Sequence, residues 1–193
     1  MIFGITGGTG CGKTTLLSLI AQAGGLVLDC DAIYHRLLRE EPALLAAIEA
    51  RFPGVVENGE LQRKKLGALV FSDPAALADL NAITHRAVKA EVVRQLSGGP
   101  ALAAIDAIAL FEGGLAGLCD VTVAVTAPED ERIRRLMARD GIGEDYARSR
   151  ISAQHNEAWF RARCDRWLTN DADRGAFQEK CVAFLSEYGI IIS

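Results

Sequence analysis

The opening residues constrain this chain more than any other part of it. "MIFGIT" (Met1 to Thr6) is a short apolar run that stops at glycines. "GGTGCGKTT" (Gly7 to Thr15) follows and leads into the helical pattern "TTLLSLIAQAG", with Leu16, Leu17, Leu19 and Ile20 on one side. Gly7, Gly12, Lys13 and Thr14 satisfy G-x-x-x-x-G-K-[ST] between a strand and a helix, the context that pattern requires. Glycines let the backbone curl with successive N–H groups turned inward. The helix starting at Lys13 adds its positive end, Lys13 reaches terminal phosphates, and the Thr14 hydroxyl can hold Mg²⁺. A loop of this kind holds a nucleoside triphosphate.

"GLVLD" (Gly25 to Asp29) reads as a second buried strand, and "DAIYHRLLRE" turns helical with Asp31 in an N-cap position. The unit is β-α-β, which implies a parallel sheet. From Glu41 to about Leu96, "PALLAAIEARF", "ELQRKKLGALVF" and "PAALADLNAITHRAVKAEVVRQL" predict three helices and no strand, a helical subdomain beside the sheet. "ALAAIDAIAL" (Ala101 to Leu110) and "DVTVAVTA" (Asp120 to Ala127) return to buried-strand character.

"PEDERIRRLMARD" starts a helix at Pro128 with acids first and arginines later, matching the helix dipole. "GIGED" breaks it, and "DYARSRISAQHNEAWFRARC" reads as one further helix. An arginine-rich helix, loop and helix late in such a chain suits a mobile lid; the plainer alternative is two surface helices with solvated arginines. "DRGAFQEKCVAFLSEYG" is the final helix, and "IIIS" is expected to add a short edge strand.

At 193 residues the chain fits one domain. A net charge of −4, with no Lys/Arg block longer than "RKK" (Arg63 to Lys65), gives no footprint for nucleic acid or anionic lipid, so small-molecule chemistry is favoured. No apolar run approaches the ~20 residues that span a bilayer, and the N-terminus lacks a basic leader, so a cytoplasmic protein is expected, as a monomer or small homo-oligomer. The 5 cysteines are odd in number and form no C-x-x-C pair, which reads as reduced thiols. Cys11, among inward N–H groups and beside Lys13, is expected to have a lowered pKa and raised reactivity.

Other residues narrow the class of triphosphate user. A regulatory GTPase needs an N-K-x-D guanine reader, and "TNDAD" (Thr169 to Asp173) lacks the lysine. A motor ATPase needs an apolar run ending in two acids, and neither "AAID" at Asp106 nor "AIALFE" at Glu112 has the second. A small-molecule kinase fits best. Its proton acceptor belongs at a strand end beside the loop. Asp29 and Asp31, two apart, point the same way if the strand stays extended, so Asp29 could orient Mg²⁺ through water while Asp31 takes the proton; the plainer reading makes Asp31 a helix cap. Asp106, inside an apolar strand, reads as a satisfied buried carboxylate.

"TGGTGCGKTT", "LVLDCDAIYHRL", "GELQRKKLGALVF", "LNAITHRAV", "IALFEGGL", "RRLMARDGI" and "RISAQ" follow in the order and approximate spacing of the dephospho-CoA kinases, so nearly the whole chain resembles that family. The resemblance implies an α/β fold, a P-loop NTPase-type three-layer sandwich with a parallel sheet, a helical acceptor-binding subdomain and a helical lid. It implies a core at about 1–40, 100–135 and 164–193, a CoA-binding region at about 41–97 and a lid at about 136–160. The implied reaction is transfer of the ATP γ-phosphate to the ribose 3′-hydroxyl of dephospho-CoA, with Mg²⁺. Asp31 matches the family's catalytic aspartate, with Lys13 and Arg139 as its charge-neutralising partners. Gly8, Thr9, Gly10, Cys11, Gly12, Lys13, Thr14 and Thr15 match the ATP loop, Arg139 resembles the lid arginine, and Arg135 is a second candidate. Arg63 and His85 match acceptor-side positions, and Glu112 follows the strand that ends beside them. A kinase for another nucleotide, nucleoside or sugar is the alternative, followed by a non-catalytic nucleotide sensor.

Overall fold

Phe3 and Ile5 are fully buried, and so are Ala104 and Val123 opposite them in the strands on either side, because β1 (Ile2–Thr6) is the middle strand of a sheet covered on both faces. The computed structural model describes residues 1–192. After β1 come α1 (Lys13–Gln22), β2 (Leu26–Asp29), α2 (Cys30–Glu40), α3 (Pro42–Arg51), the short strands β3 (Val56–Glu57) and β4 (Glu60–Leu61), α4 (Arg63–Val70) and α5 (Pro74–Leu96). The second half holds β5 (Ala103–Asp106), β6 (Val121–Thr126), α6 (Glu129–Asp140), α7 (Glu144–Ser152), α8 (Glu157–Arg161), β7 (Arg166–Thr169) and α9 (Arg174–Ser186). The sheet order is β2-β5-β1-β6-β7, and β1 runs parallel to both β5 and β6. The expected parallel α/β sheet is therefore present.

The chain divides into two units. The first comprises Met1–Leu28, Pro100–Leu110 and the residues from Ala116 onward, and carries the sheet. Its core joins Phe3, Ile5, Leu16 and Ile20 to Phe177, Cys181, Phe184 and Leu185 of α9. Phe3 meets Phe184 and Tyr188 edge-on, at centroid distances of 5.7 and 5.2 Å. Each fully buried side chain of this size contributes roughly 1.5–3 kcal/mol.

Three expectations for this unit are corrected. The run from Ala101 to Leu110 is a strand only over Ala103–Asp106; Ala107 and Leu110 are buried in the turn that follows, so apolarity outlasts the strand. Ile190 and Ile192 pack against the core without forming an edge strand, and Ser193 lies outside the described residues. The long helix expected over Asp145 to Cys164 is two, α7 and α8, because Asn156 accepts the Trp159 N–H and starts a new helix.

The second unit, Asp29–Gly99 with Phe111–Leu115, is mostly helical. Helix α5 begins with Pro74 after Asp73, whose carboxylate accepts the N–H groups of Ala75 and Ala76. The unit also holds a hairpin that the helical expectation missed: β3 and β4 pair antiparallel through Asn58 and Gly59, both at positive φ (52° and 79°). Asn-Gly is the favoured pair for such a turn, but strands of two residues are too short to show alternation.

Glu91 on α5 is 9 % exposed and accepts from Arg94, from Arg36 on α2 at 2.5 Å and from Gln95. The Arg94 hydrogen bonds come first, and with Arg36 and Gln95 they hold the carboxyl down to about 2 against the opposing effect of burial. A carboxyl depressed on folding stabilises fully above its unfolded value, and that stabilisation is lost as pH falls toward the folded one. Urea unfolding should therefore show stability falling as pH drops from about 5 to 2, with a shallower fall in Glu91→Gln, whose side chain does not titrate. Equal slopes in the two proteins would exclude Glu91 as a source of the acid sensitivity.

Candidate active site

The loop between β1 and α1 is fixed by close backbone approaches. Gly7 sits at φ 135°, and a Cβ there would overlap the Val125 carbonyl oxygen of β6; Gly12, at φ 95°, occupies the N-cap of α1, where a Cβ would overlap the Asn170 amide. Lys13 Nζ donates to Gly7 O at 3.1 Å and stands 3.7 Å from Asp106 Oδ1, at the carboxyl end of β5. Asp106 is thus only partly buried and lies beside the loop lysine, not hidden in the strand as expected. Thr14 is exposed in the first turn of α1.

Three side chains from distant parts of the same unit hold the loop from outside. Asn170, buried just after β7, donates through Nδ2 to Cys11 O at 3.0 Å. Arg135 donates to Gly10 O and to Asn170 Oδ1, both at 3.3 Å, so this predicted arginine does meet the loop. Arg132 donates through Nε to Thr9 O at 2.9 Å, and Gln154 Oε1 accepts the Thr9 N–H at 2.8 Å. Arg139 stands on the same helix but pairs with Asp140 at 2.6 Å and is 61 % exposed. Sequence reasoning missed Arg132, Gln154 and Asn170 as loop partners. An Asn directly after a strand's carboxyl end was the one visible signal among them.

Cys11 corrects another expectation. It is 3 % exposed, and burial pushes its thiol up, outweighing the opposing pull of Arg132, Lys13 and Arg135. The cationic neighbours are real, but desolvation of the thiolate wins. None of the five cysteines is in a disulfide.

Within the helical unit, α2 starts at Cys30, so Asp29 and Asp31 do not share an extended strand. Asp29 is the N-cap, its Oδ1 accepting the Ala32 N–H at 2.9 Å, the task expected of Asp31. Asp31 stands exposed in the first turn, one helical turn before His35. Arg63 Nη2 lies 3.4 Å from His35 Nδ1, which puts Arg63 on the face of α2 that carries Asp31. Burial raises the Tyr34 hydroxyl pKa, with Arg63 opposing. His85 is half-buried midway along α5, and Glu112 is exposed in the Phe111–Leu115 segment.

A glycine loop leaving the central strand of a parallel sheet, with Lys13 beside a strand-end carboxylate, defines a P-loop nucleotide-binding protein of the kinase type. The family model described as "CoaE: Dephospho-CoA kinase" matches residues 1–175. A curated dephospho-CoA kinase of Geobacillus kaustophilus is 33% identical over 97% of this chain and 96% of its own. A crystal structure of TT1252 from Thermus thermophilus superposes with a TM-score of 0.82 at 36% identity, covering 97% of both chains. A shikimate kinase structure from Bacteroides thetaiotaomicron, 18% identical with a TM-score of 0.57 over 97% of both chains, shares the fold. The chain belongs to the dephospho-CoA kinase family.

The burial of Cys11 makes a direct prediction. Iodoacetamide at pH 7.5 should leave Cys11 unlabelled in the folded chain and label it after unfolding in urea, read by peptide mass spectrometry. Labelling in the folded chain would restore the reactive-thiol expectation.

Proposed function

We propose that the chain transfers the γ-phosphoryl group of ATP to the ribose 3′-hydroxyl of dephospho-CoA, giving coenzyme A and ADP, the last step of coenzyme A synthesis. The observation that carries this reading is the family match over residues 1–175, on a chain whose phosphate loop is complete and externally braced.

Phosphoryl transfer asks a protein mainly for positioning and for neutralising charge on the transferred oxygens. The loop amides between Gly8 and Thr15 other than that of Thr9, which Gln154 takes, and the start of α1 hold the donor phosphates, and Lys13 offsets their charge. Arg135 is already at the loop. Arg139 reaches the phosphates by giving up Asp140, as a closing lid would allow. Asp31 aligns the acceptor hydroxyl and takes its proton, while Arg63, His85 and Glu112 serve the acceptor side. Arg63, beside the α2 face that bears Asp31, supports that assignment.

Mg²⁺ binds few protein groups besides phosphates and water. The exposed Thr14 hydroxyl and the Asp106 carboxylate beside the loop lysine are the groups that would hold it, whereas the Asp29 carboxylate already serves as a cap. Bound there, Mg²⁺ supplies charge neutralisation at the donor phosphates. Among the described residues no helix is long and apolar enough to cross a membrane. We place the enzyme in the cytoplasm, where ATP is made available, as a monomer or small homo-oligomer.

Mg-ATP with dephospho-CoA should give coenzyme A and ADP. Turnover only with another nucleoside, nucleotide or sugar would replace the acceptor, and ATP binding with no turnover on any would make the chain a sensor. Asp31→Asn should bind ATP as the parent does and lose about 10²- to 10⁴-fold in turnover. Near-parental turnover in that variant would leave Asp31 without a part in proton transfer.

A further inference from the structure

Thr9 sits at the tip of the phosphate loop and is 8 % exposed, so both of its backbone polar groups need protein partners. Both partners come from beyond the loop. The N–H donates to Gln154 Oε1 at 2.8 Å, and the carbonyl accepts Arg132 Nε at 2.9 Å. The ring is closed by Arg132 Nη2, which donates to the same Gln154 oxygen at 3.2 Å. One carboxamide oxygen thus fixes a loop amide and a guanidinium at once.

The sequence interrupts a helix to achieve this. Gln154 lies in the break between α7 and α8, with Ala153 ending one helix and Asn156 capping the next. On its other side Gln154 lines a cleft of about 580 Å³, so its hydrogen bonds, more than packing, set where its amide points. The space over Gly8 is filled by the same two groups, since a Cβ there would overlap the Arg132 guanidinium and come 3.1 Å from Gln154 Oε1. A loop this rich in glycine has many conformations to lose, and a reaction that depends on positioning needs them lost before the phosphates arrive.

We infer that Gln154 is a positioning residue for phosphoryl transfer: its carboxamide oxygen holds the Thr9 tip of the phosphate loop and aims Arg132 at the terminal phosphates. The inference rests on the ATP-dependent kinase reading, but its structural half is independent of which acceptor is used. Arg132 then joins Lys13 and Arg135 as a loop cation.

The test compares the full chain with Gln154→Leu, Gln154→Glu and Arg132→Gln. Readouts are amide hydrogen exchange at Thr9, affinity for a non-hydrolysable ATP analogue, and steady-state kinetics with dephospho-CoA. Gln154→Leu should speed Thr9 exchange at least tenfold and lower both analogue affinity and kcat/KM for ATP about tenfold, with KM for dephospho-CoA within twofold. Gln154→Glu, whose carboxylate accepts from the same two donors, should return Thr9 exchange to the parental range. The double variant Arg132→Gln/Gln154→Leu should be little worse than either single one, as expected of one shared network. Unchanged analogue affinity in Gln154→Leu, or Thr9 exchange in Gln154→Glu as fast as in Gln154→Leu, would overturn the inference. If the parent chain binds the analogue and shows these exchange and affinity effects but does not phosphorylate dephospho-CoA, the acceptor assignment fails and the positioning role stands.

Discussion

The carbonyl oxygen of Val125 stands where a side chain on Gly7 would be, and the rest of the donor site follows from that approach. β1 and β6 pair in parallel with Phe3 opposite Val121 and Thr6 opposite Ala124, so the register of two buried strands decides where the phosphate loop departs. Phe3, Ile5, Val123 and Val125 are all fully buried, and a slip of one residue would turn each to the wrong face. The hydrophobic core thereby sets the geometry of a polar site. At the other end of the loop, Gly12 lets Asn170 come close, and Asn170 is held in turn by its backbone bond to Thr126 O at the end of β6.

The cations around this loop fall into two energetic kinds. Lys13, Arg132 and Arg135 donate to carbonyl oxygens of Gly7, Thr9 and Gly10, which are neutral acceptors, and the carboxylates nearest Lys13 and Arg135, Asp106 and Glu131, stand farther off at 3.7 Å. A phosphate oxygen adds a second charge to hydrogen bonds whose donors are already ionised, so exchanging a carbonyl for a phosphate oxygen favours the phosphate. Arg139 differs: its guanidinium already has the Asp140 carboxylate, at 2.6 and 2.9 Å. Its exposure softens the cost of parting, because solvent screens such pairs. The first three cations are committed to the loop before a substrate enters, and the fourth is available only through rearrangement.

The local parts of this arrangement were legible in the sequence. β1, the loop, α1 and α5 announce themselves through apolar periodicity and end signals, and their observed bounds lie close to those read from the residues. What escaped was either very short or very distant. The β3–β4 hairpin has strands of two residues each, leaving Asn58-Gly59 as its only cue. The break between α7 and α8 contains no Gly or Pro and shows itself only as Asn156 before Glu157. Arg132, Gln154 and Asn170 lie more than a hundred residues along the chain from the loop atoms they hold, a relation no local pattern encodes. Cys11 failed for a different reason: the sequence displays the charges beside a thiol but not how deeply it is buried, and here burial decides the sign. For Asp29 and Asp31 a helix starting at once after the strand moved the capping role by two positions.

The reach of Gln154 depends on how stiff its support is. Ile133 and Leu136 of α6 bury against Ala147 and Ile151 of α7, giving the two helices a small core of their own. Asp140 adds a polar clamp at one end: it accepts from Arg139 and from Arg150 of α7, and those hydrogen bonds, Arg139's first, hold its carboxyl at about 2. Packed and clamped in this way, α6 and α7 form one support for the residues they carry. Arg132 projects from the first of these helices, and Gln154 follows directly on the second. A rotation of the pair therefore bears on both sides of Thr9 at once, through its carbonyl and its N–H. The lid reading gives such a motion a purpose, since the body that would close over the donor is the body that already grips the tip of its loop.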